Sequence, residues 1–131
     1  MMRYRKEQIV DYIFNNDRPI YMQLVEKIRV EIISGKFKPG EKLPSVRELA
    51  LTAKVNPNTM QKALIDLEEL GLIFTERTNG KFVTTDKKVI ENMKKDLAKE
   101  ISKNYLKDMQ NIGINHKDSI NYLLDMAEEN N

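Results

Sequence analysis

The chain has no cysteine, which removes disulfides, thiolate metal sites and cysteine nucleophiles together and suits a reducing cytoplasm. Histidine is nearly as scarce. His116 is the only one, with no ligand cluster around it, so neither a metal nor another cofactor is expected and a solvated helix start is its simplest role. Charge of one sign is also missing: 22 basic residues stand against 20 acidic ones, for a formal net charge of +2. That balance excludes a uniformly basic nucleic-acid coat protein, and any contact with nucleic acid must come from a local patch. No stretch approaches the roughly 18 uninterrupted apolar residues of a membrane helix. The opening "MMRYRKEQIVDYIF" never reaches a signal peptide's apolar core, so a cytoplasmic protein without membrane contact is expected. There is no serine, histidine and acid set at plausible spacing and no phosphate-binding glycine loop, and the carboxylates alternate with lysines as on solvated helices. Catalysis is not expected. No internal repeat or low-complexity tract interrupts the chain.

What is present is amphipathic periodicity. A length of 131 residues suits one compact domain, or a small domain with an appendage, against a typical size of about 100–200 residues. In "PIYMQLVEKIRVEIISG", residues 19 to 35, Ile20, Leu24, Ile28 and Ile32 recur at steps of four with Tyr21 and Val25 beside them. This spacing predicts a helix that Gly35 terminates. After a turn at Pro39-Gly40, Ser45 and Glu48 stand three apart as in a capping box, starting a helix from about Ser45 to Ala53 that buries Val46, Leu49 and Ala50.

A break at Lys54-Val55 leads to "NPNTMQKAL". Asn56 can cap orphan N–H groups and Pro57 suits the first helical position, where the N–H it lacks would be unpaired anyway. The helix continues through Ala63, Leu64, Leu67 and Leu70 to Gly71. Two short helices joined by a tight turn form a helix-turn-helix outline. The period then changes. In "LIFTERTNGKFVTT", Ile73, Phe74 and Thr75 precede Asn79-Gly80, and Phe82 to Thr85 follow. Asn-Gly between such runs signals a hairpin with a type I′ turn, which needs positive φ at both central residues.

Helix, helix-turn-helix and hairpin in this order describe a winged helix. The expected fold is therefore mainly α with a small β-hairpin wing, followed by a short two-helix appendage. From about Asp86 the pattern is helical again, with Val89, Ile90, Met93, Leu97, Ile101, Tyr105 and Met109 on one stripe and a lysine run from Lys87 to Lys107 that reads as a solvated face. Gly113 precedes a last helix, started by Asn115 or Asp118, with Ile120, Leu123, Leu124 and Ala127 as its stripe. Two helices this short cannot bury both stripes on one another and require a partner surface. Met93, Met109 and Met126 are expected to pack there. The expected division is an extension over 1–18, the winged helix over 19–85 and a helical dimerisation region over 86–131. Before Pro19, Ile9, Val10, Ile13 and Phe14 fit a helix, and "DYIF" also passes as a short strand.

Across residues 18 to 85 the string "PIYMQLVEKIRVEIISGKFKPGEKLPSVRELALTAKVNPNTMQKALIDLEELGLIF" and its hairpin resemble the winged helix of GntR-type transcription regulators. The most specific pieces are Pro19-Ile20-Tyr21 with Gln23, "SGKFKPGEKLPSVRELA", and "NPNTMQKAL" followed by "LEELGLI". The short helical remainder resembles the YtrA-like branch, in which a helix pair serves dimerisation. The resemblance implies a homodimeric, sequence-specific repressor on an inverted-repeat DNA operator, whose small-molecule effector the sequence leaves unknown. It also implies DNA contact by Arg47 with Ser45 near the backbone. The wing departs from the family's glycine-rich, arginine-bearing tip: Arg77-Thr78-Asn79-Gly80-Lys81 keeps the arginine and one glycine.

In a helix-turn-helix the second helix presents its first residues to the major groove, so Asn58, Thr59, Gln61 and Lys62 are expected to face DNA, with Asn56 near a phosphate at the helix start. Asparagine and glutamine pair bidentately with adenine, and lysine reaches guanine or phosphate. Pro57 replaces an arginine common in relatives, which shifts specificity to Asn58, Thr59 and Gln61. Arg77, Asn79, Gly80 and Lys81 complete the expected DNA surface. The dimer face is expected from Ile90, Met93, Leu97, Ile101, Tyr105, Met109, Ile120, Leu123 and Leu124. Against this reading stand a winged helix used only to bind protein, and a sensor whose dimer interface takes a lipophilic compound.

Overall fold

The computed structural model describes residues 13–129. The described residues form helix α1 (Ile20–Ile33), α2 (Val46–Ala53), α3 (Pro57–Glu69), strands β1 (Ile73–Glu76) and β2 (Gly80–Val83), then α4 (Lys87–Asn111) and α5 (His116–Glu129). They fall into two compact units, one reaching Asn92 and the other starting at Met93. The mainly α fold with a two-stranded antiparallel wing is the one expected.

Each helix of the first unit begins and ends where its local chemistry directs. The Ser45 side chain accepts from the Glu48 N–H and the Glu48 carboxylate accepts from the Ser45 N–H, closing the capping box of α2. Asn56 Oδ1 accepts from the Asn58 N–H at 2.8 Å, and Pro57 is the first residue of α3. Between them Lys54 takes left-handed φ and ψ of 60° and 46°, the sharp corner that lets α3 cross back. Gly35, at φ +88°, follows the last turn of α1. α1 lacks a side-chain cap at Pro19. Instead buried Gln23 ties down the chain ahead of it: its Nε2 donates to the carbonyls of Asn15 and Arg18, and its Oε1 accepts from the Asn15 N–H. Ile13 and Phe14 lie in neither helix nor strand, and Ile9 and Val10 are outside the described residues.

The core of this unit interleaves Leu24, Ile28 and Ile32 of α1, Leu49 and Ala50 of α2, and Met60, Ala63, Leu64 and Leu67 of α3. α3 is the hub, packing on α1, α2 and β1. Val46, expected inside, is half-buried because it sits in the first turn beside the wing groove. Ile90, expected on the dimer stripe, is 8% exposed and closes the first unit's core, so it is not open to a partner.

The wing differs from the type I′ expectation. Register pairs Ile73 with Val83 and Glu76 with Gly80, leaving a three-residue loop over Arg77-Thr78-Asn79. The Asn79 N–H donates to the Glu76 carbonyl at 3.2 Å and only Gly80, at φ +102°, is left-handed. This is a turn closed by a glycine bulge, in which Asn79 needs no positive φ. A third piece of extended chain was not anticipated. Lys42 bridges Phe82, the Leu43 N–H donates to Lys81 O at 2.8 Å and the Val83 N–H donates to Glu41 O at 2.9 Å, so the free edge of β2 is covered.

In the second unit Gly113, at φ +88°, ends α4 while the Ile114 N–H returns to Met109 O at 2.9 Å. Asn115, of the two residues considered, caps α5 by accepting from the Asp118 N–H. Tyr105 Oη donates to Ser119 O at 2.7 Å, and Ser119 is fully buried beneath it. Ile101, Ile120, Leu123, Leu124 and Met126 remain exposed, while Met93, Leu97, Tyr105 and Met109 are half-buried. Among the described residues no helix is long and apolar enough to cross a membrane.

Candidate DNA-binding surface

The outward face of α3 follows from its inward one. With Met60, Ala63, Leu64 and Leu67 fully buried, a period of 3.6 residues turns Asn58, Lys62 and Ile65 away from the core. Asn58 and Lys62 are exposed, and Thr59 and Gln61 are half-buried on the flanks. Of the residues expected to read bases, Asn58 is therefore the most open. Lys62 is engaged within the chain, its Nζ 3.8 Å from the centroid of the Tyr21 ring on α1. Such a cation–π contact contributes only ~0.5–1 kcal/mol at an exposed site, so the ammonium stays available. Asn56 is exposed, with its side-chain oxygen already capping α3.

The wing and the start of α2 face one another across an open groove of about 460 Å³ whose lining includes Lys42, Ser45, Glu48, Arg77, Asn79 and Lys81. The structure thus brings Ser45 together with all four residues expected from the wing. Arg47 lies outside this lining, exposed on α2. Among the described residues neither Arg47 nor Arg77 takes part in an ion pair. An exposed, uncommitted guanidinium is suited to a phosphate, where its planar fork makes bidentate hydrogen bonds. Asn79 instead donates through Nδ2 to Glu76 Oε2 at 3.1 Å, which steadies the tip. Lys81 is held by Glu68 and Thr75.

Two contributors were missed. Lys42 enters the groove because it bridges Phe82 of β2, and its only sequence signal is a short run between Gly40 and Pro44. Tyr21 supports Lys62; it belonged to the Pro19-Ile20-Tyr21 signature, but nothing local tied it to α3.

The model of the bacterial regulatory proteins of the gntR family matches residues 20–83. The chain is 33% identical over 111 residues to the uncharacterized HTH-type transcriptional regulator YhcF of Bacillus subtilis, covering 85% of this chain and 92% of that protein. It is 38% identical over 97 residues to the HTH-type transcriptional repressor YtrA of Bacillus subtilis, covering 73% of this chain and 75% of that one. A solved GntR family transcriptional regulator from Listeria monocytogenes superposes with a TM-score of 0.79 at 42% identity, over 86% of this chain and 98% of that chain. The DNA-binding domain of AraR in complex with operator ORX1 superposes with a TM-score of 0.51 at 32% identity, over 55% of this chain and 93% of that chain.

Proposed function

Because this chain belongs to the bacterial gntR family of regulatory proteins and is a transcription regulator and not an enzyme, we propose that it works as a homodimeric repressor that places one winged helix in each half-site of an inverted-repeat operator. The observation that carries the reading is the pair of guanidinium groups, Arg47 and Arg77, that form no ion pair among the described residues and lie on either side of α3's exposed Asn58 in sequence. The arginines hold phosphates and fix register, and Asn58 and Gln61 read base edges. AraR's DNA-binding domain, solved on its operator, supports use of this winged helix on duplex DNA.

A second copy covers the apolar faces of α4 and α5, including a groove of about 440 Å³ lined by Ile101, Tyr105, Leu106, Ile120 and Leu123. Without a partner that much apolar surface stays in water. Pairing sets the distance between the two heads and so the spacing of half-sites. The protein acts in the cytoplasm, and repression is occlusion of polymerase, with a transporter operon the target suggested by the YtrA-like resemblance.

Fluorescence anisotropy with a duplex from the gene's own promoter and an unrelated duplex, each titrated over several salt concentrations, tests this. The expected result is promoter binding ~10³-fold or more tighter, with nonspecific binding that weakens steeply with salt. Absence of binding to either duplex at low salt overturns it.

A further inference from the structure

The wing carries two cations, and backbone register separates them. Thr75 and Lys81 are opposed across β1 and β2, one step beyond the opposed pair Ile73 and Val83 on the same face. Ile73 and Val83 are buried, so that face looks toward the helices. Phe74 and Phe82 stack on the other face, their centroids 5.6 Å apart. Lys81 therefore points back toward α3 and not out from the tip. There it meets Glu68 of α3. Thr75 Oγ1 donates to Glu68 Oε1 at 2.7 Å, and Lys81 Nζ donates to Thr75 Oγ1 at 3.0 Å while lying 3.6 Å from Glu68 Oε1. The Lys81 side chain is 16% exposed, against 42% for Glu68.

We propose that Lys81 is a positioning residue, clamping the wing onto the recognition helix through Glu68 and Thr75, and that phosphate contact in the wing falls to Arg77. This rests on the DNA-binding reading above. Thr75 and Lys81 are already opposed by the β ladder, so the network orders few additional rotors, unlike an isolated surface pair. The clamp sets the angle between the helix that reads bases and the hairpin that holds the backbone. The two roles for Lys81 predict opposite signs at Glu68. If Lys81 contacts phosphate and Glu68 merely competes for it, removing the carboxylate strengthens DNA binding. If the three groups form a clamp, removing it loosens the wing and weakens binding.

The test compares wild type with Lys81→Met, Glu68→Ala, their double variant and Arg77→Met in full-length protein. Amide hydrogen exchange over residues 73–83 is read without DNA, and promoter affinity is read against salt. Expected are faster wing exchange in Lys81→Met and in Glu68→Ala, with affinity reduced roughly two- to fivefold in each, the range of a modest ion pair. The double variant is no worse than either single one. Lys81→Met keeps the wild-type salt slope, whereas Arg77→Met keeps wild-type exchange and loses about 0.9 of slope, one phosphate contact. Unchanged exchange in both clamp variants overturns the proposal, as does a slope loss of about 0.9 in Lys81→Met with tighter binding by Glu68→Ala. Should wild type bind no duplex, the DNA-binding reading falls, and exchange alone decides the clamp: faster in both variants upholds it, unchanged overturns it.

Discussion

At the residue scale, the side chains around α3 divide by what already holds them. Asn56 spends its oxygen on the Asn58 N–H, so Asn56→Ala should lower stability by about 1 kcal/mol, read from the denaturation midpoint, with the DNA salt slope unchanged. Among the described residues the Asn58 side-chain amide makes no hydrogen bond, and only its backbone N–H is engaged. Asn58→Ala should cost about 1–3 kcal/mol of discrimination at one base pair and relax the preference there, measured by anisotropy against a set of singly substituted operators. Arg47 has no carboxylate partner within the described chain. Arg47→Ala should weaken specific and nonspecific duplexes alike and reduce the salt slope by about 0.9. Lys62 stays exposed beside Tyr21, whereas Lys81, which its place beside the hairpin tip marks as open to DNA, turns to Glu68. Tyr21 and Glu68, the groups that engage them, are distant in sequence or on another element, and no local pattern announces such partners.

At the scale of elements, caps and corners were legible because their chemistry is local. Ser45-Glu48, Asn56-Pro57 and Gly35 each act within a few residues of themselves. Lys54 is the exception in conformation, a β-carbon-bearing residue at φ 60° between α2 and α3. Left-handed backbone costs such a residue ~1–2 kcal/mol, and glycine's greater unfolded freedom offsets part of the gain. Lys54→Gly should therefore raise stability by up to about 1 kcal/mol, measured by denaturant unfolding. The hairpin turn was placed correctly but its type was not. Asn79-Gly80 fits a two-residue turn, yet matching Ile73 to Val83 so that both reach the core shifts the pairing and leaves three residues in the loop. The bridge from Lys42 to Phe82 is illegible in the sequence for the same reason, since it depends on the edge that β2 offers.

At the scale of the whole molecule, the apolar faces of α4 and α5 are the feature the chain leaves unfinished. Leu124 is 58% exposed and Ile101 60%, and the second copy proposed above would take this apolar surface out of water. Leu123→Asp, with Leu124→Asp as a second variant, should yield monomers by sedimentation with an unchanged winged-helix core. Affinity for the full operator should fall by about 10²-fold or more, because two linked heads bind with high effective concentration and one does not. The sequence alone determined the order of elements, the caps, the apolar stripes and the family string, because periodicity and capping are interactions among near neighbours. Tertiary structure decided which face of the wing Lys81 takes, that Ile90 closes the first unit's core, and that Lys42 joins the groove beside Ser45. Those outcomes depend on the registry of distant segments, and registry is chosen by the burial of Ile73, Val83 and Ile90 together, which no single stretch of the chain encodes.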